Sequence, residues 1–268
     1  MHCCPFPVCA FCMGVIFFFA VSTGVFAAAP GDNQQEGGKT DRRGDSTGQA
    51  RAAPPAEMLS AGHATQVELA NPALASTAAK RELLIYLVRC ALPENITLST
   101  QHGAERFTFK GSMGLAPRWL YEAMTPSEER WVSACLLAHV NYFGRSVPIS
   151  LRANPPVVPT LAVSDGEQQD FSIFEGGFFG NLFQPSPVAY TCRGDRTPDQ
   201  ARNPIFQARV CTHETGSSTA DGMPITPCHF LVTGRCEDTA SFTVDGIHYT
   251  EVILIYLRPN TPPGAGIP

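Results

Sequence analysis

The start of the chain lacks charge. Met1 to Ala29 contains no Asp, Glu, Lys or Arg. Within it, Ala10 to Ala29 holds the run Val15-Ile16-Phe17-Phe18-Phe19-Ala20-Val21 and closes on Val25-Phe26-Ala27-Ala28-Ala29. Small residues there offer a signal-peptidase site near Ala27 or Ala28, so residues 1–28 are read as a cleaved export leader. One departure is the absence of Lys or Arg before the apolar run, where only His2 stands. The run also approaches the length of a bilayer span, which makes a retained anchor the alternative. Ser22, Thr23 and Gly24 interrupt it and favour cleavage. Cys3, Cys4, Cys9 and Cys12 precede the apolar core, so there is no lipobox. Cys9-x-x-Cys12 has redox spacing but lies in the leader and receives no chemical role.

Large apolar residues are scarce from Gly31 to about Ala70. Such a stretch cannot bury enough surface to offset its ordering entropy. Residues 29–70 are therefore expected to form a flexible tether, and residues 259–268 a similar tail. Clusters of Lys and Arg are missing as well. The formal charge of −5 belongs entirely to the part beyond the leader. This mild acidity excludes a nucleic-acid surface. No basic amphipathic stretch is present, so contact with a membrane is expected only through an uncleaved leader.

Intact catalytic signatures are missing too. His213-Glu214-Thr215-Gly216-Ser217 ends in Ser and is not H-E-x-x-H. Ser112 in Gly111-Ser112-Met113-Gly114 falls short of G-x-S-x-G, because Lys110 takes the first glycine position. Cys211, His213, Cys228, His229 and Cys236 are zinc-ligand types without paired C-x-x-C knuckles. No phosphate-binding pattern and no internal repeat occur. No cofactor and no metal are expected on these grounds.

What is present is one domain-sized segment, residues 71–258, expected to fold as α+β: a helical half (71–152), then a β-rich half (153–258). The helix at its centre opens with Thr125 as cap, Pro126 in the first turn and Glu128 completing a capping box. From Trp131 to Phe143 no residue is charged, which predicts a helix wrapped by protein and stopped at Gly144. An earlier helix is predicted from Pro72 to Ala91, with Leu83, Leu84, Leu87 and Val88 on one face and Pro93 as its end. Asn95 to Lys110 reads as a hairpin turning at His102-Gly103. Val147 to Leu151 reads as an edge strand, because it contains Pro148. Later strands are predicted at Phe171–Phe174, Val188–Cys192, Gln207–Cys211 and His229–Val232. Asp245-Gly246 predicts a tight hairpin within Ser241–Thr250. Val252 to Leu257 is either a central strand or a continuation of that hairpin.

Ten cysteines less the four of the leader leave Cys90, Cys135, Cys192, Cys211, Cys228 and Cys236. An even number beyond an export leader points to disulfides. Spacing alone does not select the pairs. Cys90 and Cys135 each sit late in a predicted helix, and joining them would staple the two. The remaining four are expected to pair as Cys192 with Cys236 and Cys211 with Cys228.

The candidate functional groups are few. Ser112, His139 and Glu175 are the candidate catalytic side chains, with Asp170 as a further acid. Each also has a plain structural reading: a tight turn for Ser112, a satisfied core histidine for His139. Glu175-Gly176-Gly177-Phe178-Phe179-Gly180-Asn181-Leu182-Phe183 reads as a glycine-rich aromatic loop. Glycine permits close backbone approach, so Glu175, Gly176, Gly177, Phe178, Phe179 and Asn181 are candidate ligand contacts. The alternative is a loop folding its phenylalanines onto the core. Arg-Gly-Asp occurs at Arg43–Asp45 and Arg193–Asp195, a tripeptide resembling integrin ligands but also a common turn composition. Asn95-Ile96-Thr97 is a glycosylation sequon only in a eukaryotic secretory route.

The segments Leu83–Pro93, Gly114–Leu120 and Arg130–Ala138, together with Glu175–Phe183, resemble an uncharacterised family of exported, cysteine-containing bacterial proteins with no assigned activity. The resemblance covers most of the folded part and implies a secreted, periplasmic or cell-surface setting. It implies no reaction and no catalytic residues. The sequence thus points first to an exported, non-catalytic binding or surface-structural protein, whose partner would be another surface protein or a glycan. The alternative is a secreted hydrolase with its site near Gly176–Phe183.

Overall fold

The computed structural model describes residues 75–142, 147–195, 197, 206, 209–236 and 241–259, together with the backbone of Thr47 and Gly48. All lie in the compact unit Arg42–Pro268. The leader, most of the expected tether and the tail lie outside the described residues, as does the first Arg-Gly-Asp. Among the described residues no helix is long and apolar enough to cross a membrane.

The fold is α+β, with three α-helices among the described residues and a mixed sheet. Helix α1 spans Ala78–Ala91, and Thr77 caps it by accepting from the Lys80 amide. It therefore begins later than the expected Pro72. The apolar stripe sets where a helix buries, but the side-chain cap sets where it starts. Leu84, Leu87, Val88 and Cys90 are buried, and Leu83 is partly buried against them. Helix α2 spans Pro126–His139 with the full capping box: the Thr125 hydroxyl accepts from the Glu128 amide, and the Glu128 carboxylate accepts from the Thr125 amide at 2.8 Å. Every residue from Trp131 to His139 is buried. The helix ends at His139 with Val140 as cap, short of the expected stop; Gly144 lies outside the described residues. A third, acidic helix, α3 (Asp165–Asp170), was not expected. It is one and a half turns long and buries no residue, so it carries no apolar period to read.

The six-stranded sheet runs β1 (Thr47–Gly48), β4 (Val147–Arg152), β10 (Ile253–Leu257), β5 (Ile173–Asn181), β6 (Val188–Arg193) and β7 (Leu231–Arg235). Its pairs are antiparallel except β6 with β7. Two hairpins stand apart: β2 (Thr97–His102) with β3 (Glu105–Lys110), and β8 (Phe242–Val244) with β9 (Ile247–Tyr249). Strand β10 resolves the choice left by its sequence: it is central, between β4 and β5. Helix α2 lies on β5 and β10, and α1 lies on α2 and β3.

Side chains alternate across the sheet and build two cores. Phe178, Ile253, Ile255, Leu257, Ile149 and Leu151 face the helices. Phe179, Tyr190, Val244, Tyr249 and Val252 form a smaller core on the other face, under the β8–β9 hairpin. There Phe179 stacks on Phe242 at 4.6 Å between ring centroids and on Tyr190 at 5.3 Å. Desolvation, then the neighbouring Tyr249 and Asp245, push the Tyr190 phenol up to about 12.

Among the described residues three disulfides form: Cys90–Cys135, Cys192–Cys236 and Cys211–Cys228. These are the pairs the sequence suggested. The first joins α1 to α2 with its Cα atoms 5.9 Å apart. Three such bonds are typical of chains that fold in an oxidising compartment.

Candidate functional site

The stretch expected to be a glycine-rich loop is the long central strand β5. Each glycine in it answers to a close neighbour rather than to a turn. A Cβ on Gly177 would stand 2.8 Å from Cys192 Sγ, and one on Gly180 would collide with the Val188 carbonyl oxygen. The six candidate ligand contacts follow the strand inward. Glu175, Gly176, Gly177, Phe178, Phe179 and Asn181 are all buried. Phe178 meets Phe230 edge-on in the helix-side core, while Phe179 fills the opposite core.

Glu175 is the extra residue of a bulge. Gly176 pairs with Ile255 and Phe174 with Tyr256, which leaves Glu175 no partner across β10. Its carboxylate accepts from Arg209 Nε at 2.8 Å, and both side chains are wholly excluded from solvent. Arg209 Nη2 also donates to the Ala138 carbonyl at 2.8 Å. That carbonyl belongs to the last turn of α2, where helix carbonyls lack intrahelical donors and a cation is favoured. One guanidinium thus ties the sheet to the end of the central helix. Gln207–Cys211 was expected to be a strand. Instead Arg209 leads into a 3-10 turn, Val210–Thr212, with residues 207–208 outside the described set.

Asn181 and Ser133 make a second tie at the other end of β5. Asn181 Nδ2 donates to Glu129 on α2 at 3.0 Å, and its carbonyl accepts from the Phe183 amide. Ser133 Oγ accepts from the Leu182 amide at 2.9 Å.

His139 occupies the last turn of α2, facing α1. Its Nδ1 lies 2.8 Å from the Cys135 carbonyl oxygen, which can only accept, so Nδ1 carries the hydrogen. The same nitrogen is 3.9 Å from Cys135 Sγ, and the ring is tilted against Tyr86. Burial lowers its pKa to about 4; the bond to the Cys135 carbonyl opposes that shift, and the charges of Arg89 and Arg209 reinforce it. The imidazole is therefore neutral at ordinary pH.

Ser112 lies in the turn after β3, where its amide donates to the Leu92 carbonyl. Among the described residues no hydrogen bond reaches its hydroxyl, and none joins Ser112, His139 and Glu175 to one another. Arg209 comes nearest to linking the last two, as the ion-pair partner of Glu175 and a cation felt by His139. Asp170 is at the surface, 3.5 Å from Arg258. The zinc-type cysteines Cys211, Cys228 and Cys236 are consumed in disulfides. The second Arg-Gly-Asp is internally engaged: Arg193 pairs with Glu214, Asp195 pairs with Arg235, and Gly194 packs on Phe174.

Arg209 is the functional-looking residue that sequence reasoning missed. Its one available signal was a lone cation in an apolar neighbourhood, Phe206 to Cys211, beside a cysteine. No family model, curated protein or solved structure matches this chain.

Proposed function

We propose that the protein is exported and acts as a non-catalytic binding or surface-structural module, with another surface protein or a glycan as partner. On this reading residues 1–28 are removed, residues 29–70 tether the folded body to its surroundings, and the chain belongs with the exported, cysteine-containing bacterial proteins it resembles. The observation that carries it is the commitment of its reactive side chains. The Glu175 carboxylate is neutralised by Arg209, and His139 is sealed between two helices with its Nδ1 held by a carbonyl. A general base must come within hydrogen-bond reach of the proton it takes, and among the described residues no hydrogen bond reaches the Ser112 hydroxyl. The three disulfides support a working life outside the reducing cytoplasm.

The test is a broad screen of the purified, oxidised protein against peptide, glycan and ester substrates. No turnover is expected. Turnover lost in Ser112→Ala or His139→Ala would restore the hydrolase reading. N-terminal sequencing of the exported protein should start near Ala28; a mature chain beginning at Met1 would overturn the cleaved leader.

A further inference from the structure

Strand β2 leaves one edge open. The Gly111 amide donates to the Ile96 carbonyl, and the ladder runs on from there with Leu98 opposite Phe109, Thr100 opposite Phe107 and His102 opposite Glu105. In an antiparallel pair, residues that bond across alternate with residues whose N–H and C=O point away. Thr97, Ser99 and Gln101 therefore turn their main-chain groups outward. Among the described residues no strand lies beyond β2 and no main-chain bond reaches these groups. Gln101 uses only its side-chain amide, which donates to the Gly103 carbonyl. Thr97 and Gln101 are exposed and Ser99 is half-buried.

The two edges of this hairpin are built differently. On β3 the outward residues are Arg106, Thr108 and Lys110, and α1 packs beside that strand. Charged side chains on an edge strand keep other strands away. From Ile96 to Gln101, by contrast, β2 has no Lys, Arg, Asp, Glu, Pro or Gly.

We infer that β2 is the contact through which two copies of this chain associate, edge to edge and antiparallel, centred on Ser99. A row of free N–H and C=O groups is complemented by another extended strand. A second copy supplies one whose chemistry fits. The pairing sets Thr97 of each copy against Gln101 of the other, and Ser99 against its own equivalent. All the outward residues then bond across, with about six main-chain hydrogen bonds. No charged residue enters the paired stretch. The alternation of faces is kept, because Leu98 of each copy meets Thr100 of the other on the buried side. The contact is two-fold and self-complementary. One short strand edge falls below the roughly 800 Å² per partner of a standard interface, so the dimer forms with rising concentration. This inference goes beyond the binding-module reading. A turnover screen does not report on association, so either can fail without the other.

The experiment is sedimentation of the purified, oxidised protein from micromolar to millimolar concentration, with amide hydrogen exchange over the same range. The average mass is expected to climb toward twice the monomer. The Thr97, Ser99 and Gln101 amides should slow in step, while those of Arg106, Thr108 and Lys110 do not. Ser99→Lys brings two ammonium groups face to face and should weaken association about fivefold or more. Thr108→Lys adds the same charge on the neighbouring strand and should leave association unchanged. The exchange measurement on wild type needs no variant to fold. A chain that stays monomeric at every concentration overturns the second-copy assignment and leaves the edge to a strand from another protein. A dimer that leaves those three amides unprotected, or that the two lysine variants affect equally, places the contact elsewhere and overturns it too.

Discussion

Arg209 Nε sits 2.8 Å from the Glu175 carboxylate with both side chains shut off from solvent, and the same guanidinium holds the Ala138 carbonyl at the end of α2. Removing one partner of such a pair strands a buried charge. Glu175→Gln should therefore destabilise the protein by about 3–5 kcal/mol. Replacing both, as Glu175→Leu/Arg209→Met, should recover much of that loss, because the desolvation of two ions is then avoided. Urea unfolding of the two variants checks the order; a double variant as unstable as the single one would contradict it.

The disulfides should differ in worth. Cys90–Cys135 and Cys192–Cys236 close separations of 45 and 44 residues, and Cys211–Cys228 one of 17. By chain entropy, losing a long one costs about 4 kcal/mol and losing the short one about 3 kcal/mol. Paired Cys→Ser variants, compared by denaturant midpoint, should rank that way. Peptide mapping without reduction should recover these three pairs and no others.

Acid should weaken the fold through His139. Its folded pKa of about 4 lies below the ordinary 6.5, so between those values the unfolded chain binds the extra proton. Stability is then full above pH 6.5, falls as pH drops, and levels off below about 4, for a total near 3 kcal/mol. In His139→Phe, the slope of stability against pH between 6.5 and 4 should flatten. An unchanged slope would place the acid sensitivity elsewhere.

The glycines of β5 should not tolerate a methyl group. Gly180 has φ of +140°, and its Cβ would meet the Val188 carbonyl; Gly177 is hemmed by Cys192 Sγ, Leu254 and Val252. Alanine at either should cost more than about 2 kcal/mol. Gly246, at φ +76° with open space around it, should lose only about 1 kcal/mol as alanine. Thermal melts of the three variants separate crowding from backbone strain.

That contrast also explains what the sequence could and could not reveal. Local chemistry was readable. The Thr125–Glu128 capping box, the Asp245-Gly246 hairpin and the presence of a hairpin within Asn95–Lys110 each depend on residues close together in the chain. The pair Cys90–Cys135 was legible because both cysteines sit late in predicted helices, whereas four cysteines in the β-rich half allow three pairings and the fold decides among them. Strand β5 was not, because its glycines are required by Cys192, Val188 and Leu254, which lie far along the chain or on another strand. In a one-dimensional reading Gly-Gly-Phe-Phe-Gly looks like a loop, with Phe178 and Phe179 on one surface rather than in two cores. Arg209 was hidden for the same reason: its partners, Glu175 and Ala138, are 34 and 71 residues away.

The lacing of the second half settles what survives a single cut. Cys211–Cys228 is nested inside Cys192–Cys236, while Cys90–Cys135 stands alone upstream. A protease that nicks the backbone between Cys192 and Cys211 leaves two fragments that still migrate as one band until a reductant is added. A nick between Cys135 and Cys192 leaves no covalent thread between the pieces, and non-covalent contacts alone keep them in company, the Arg209 bond to the Ala138 carbonyl among them.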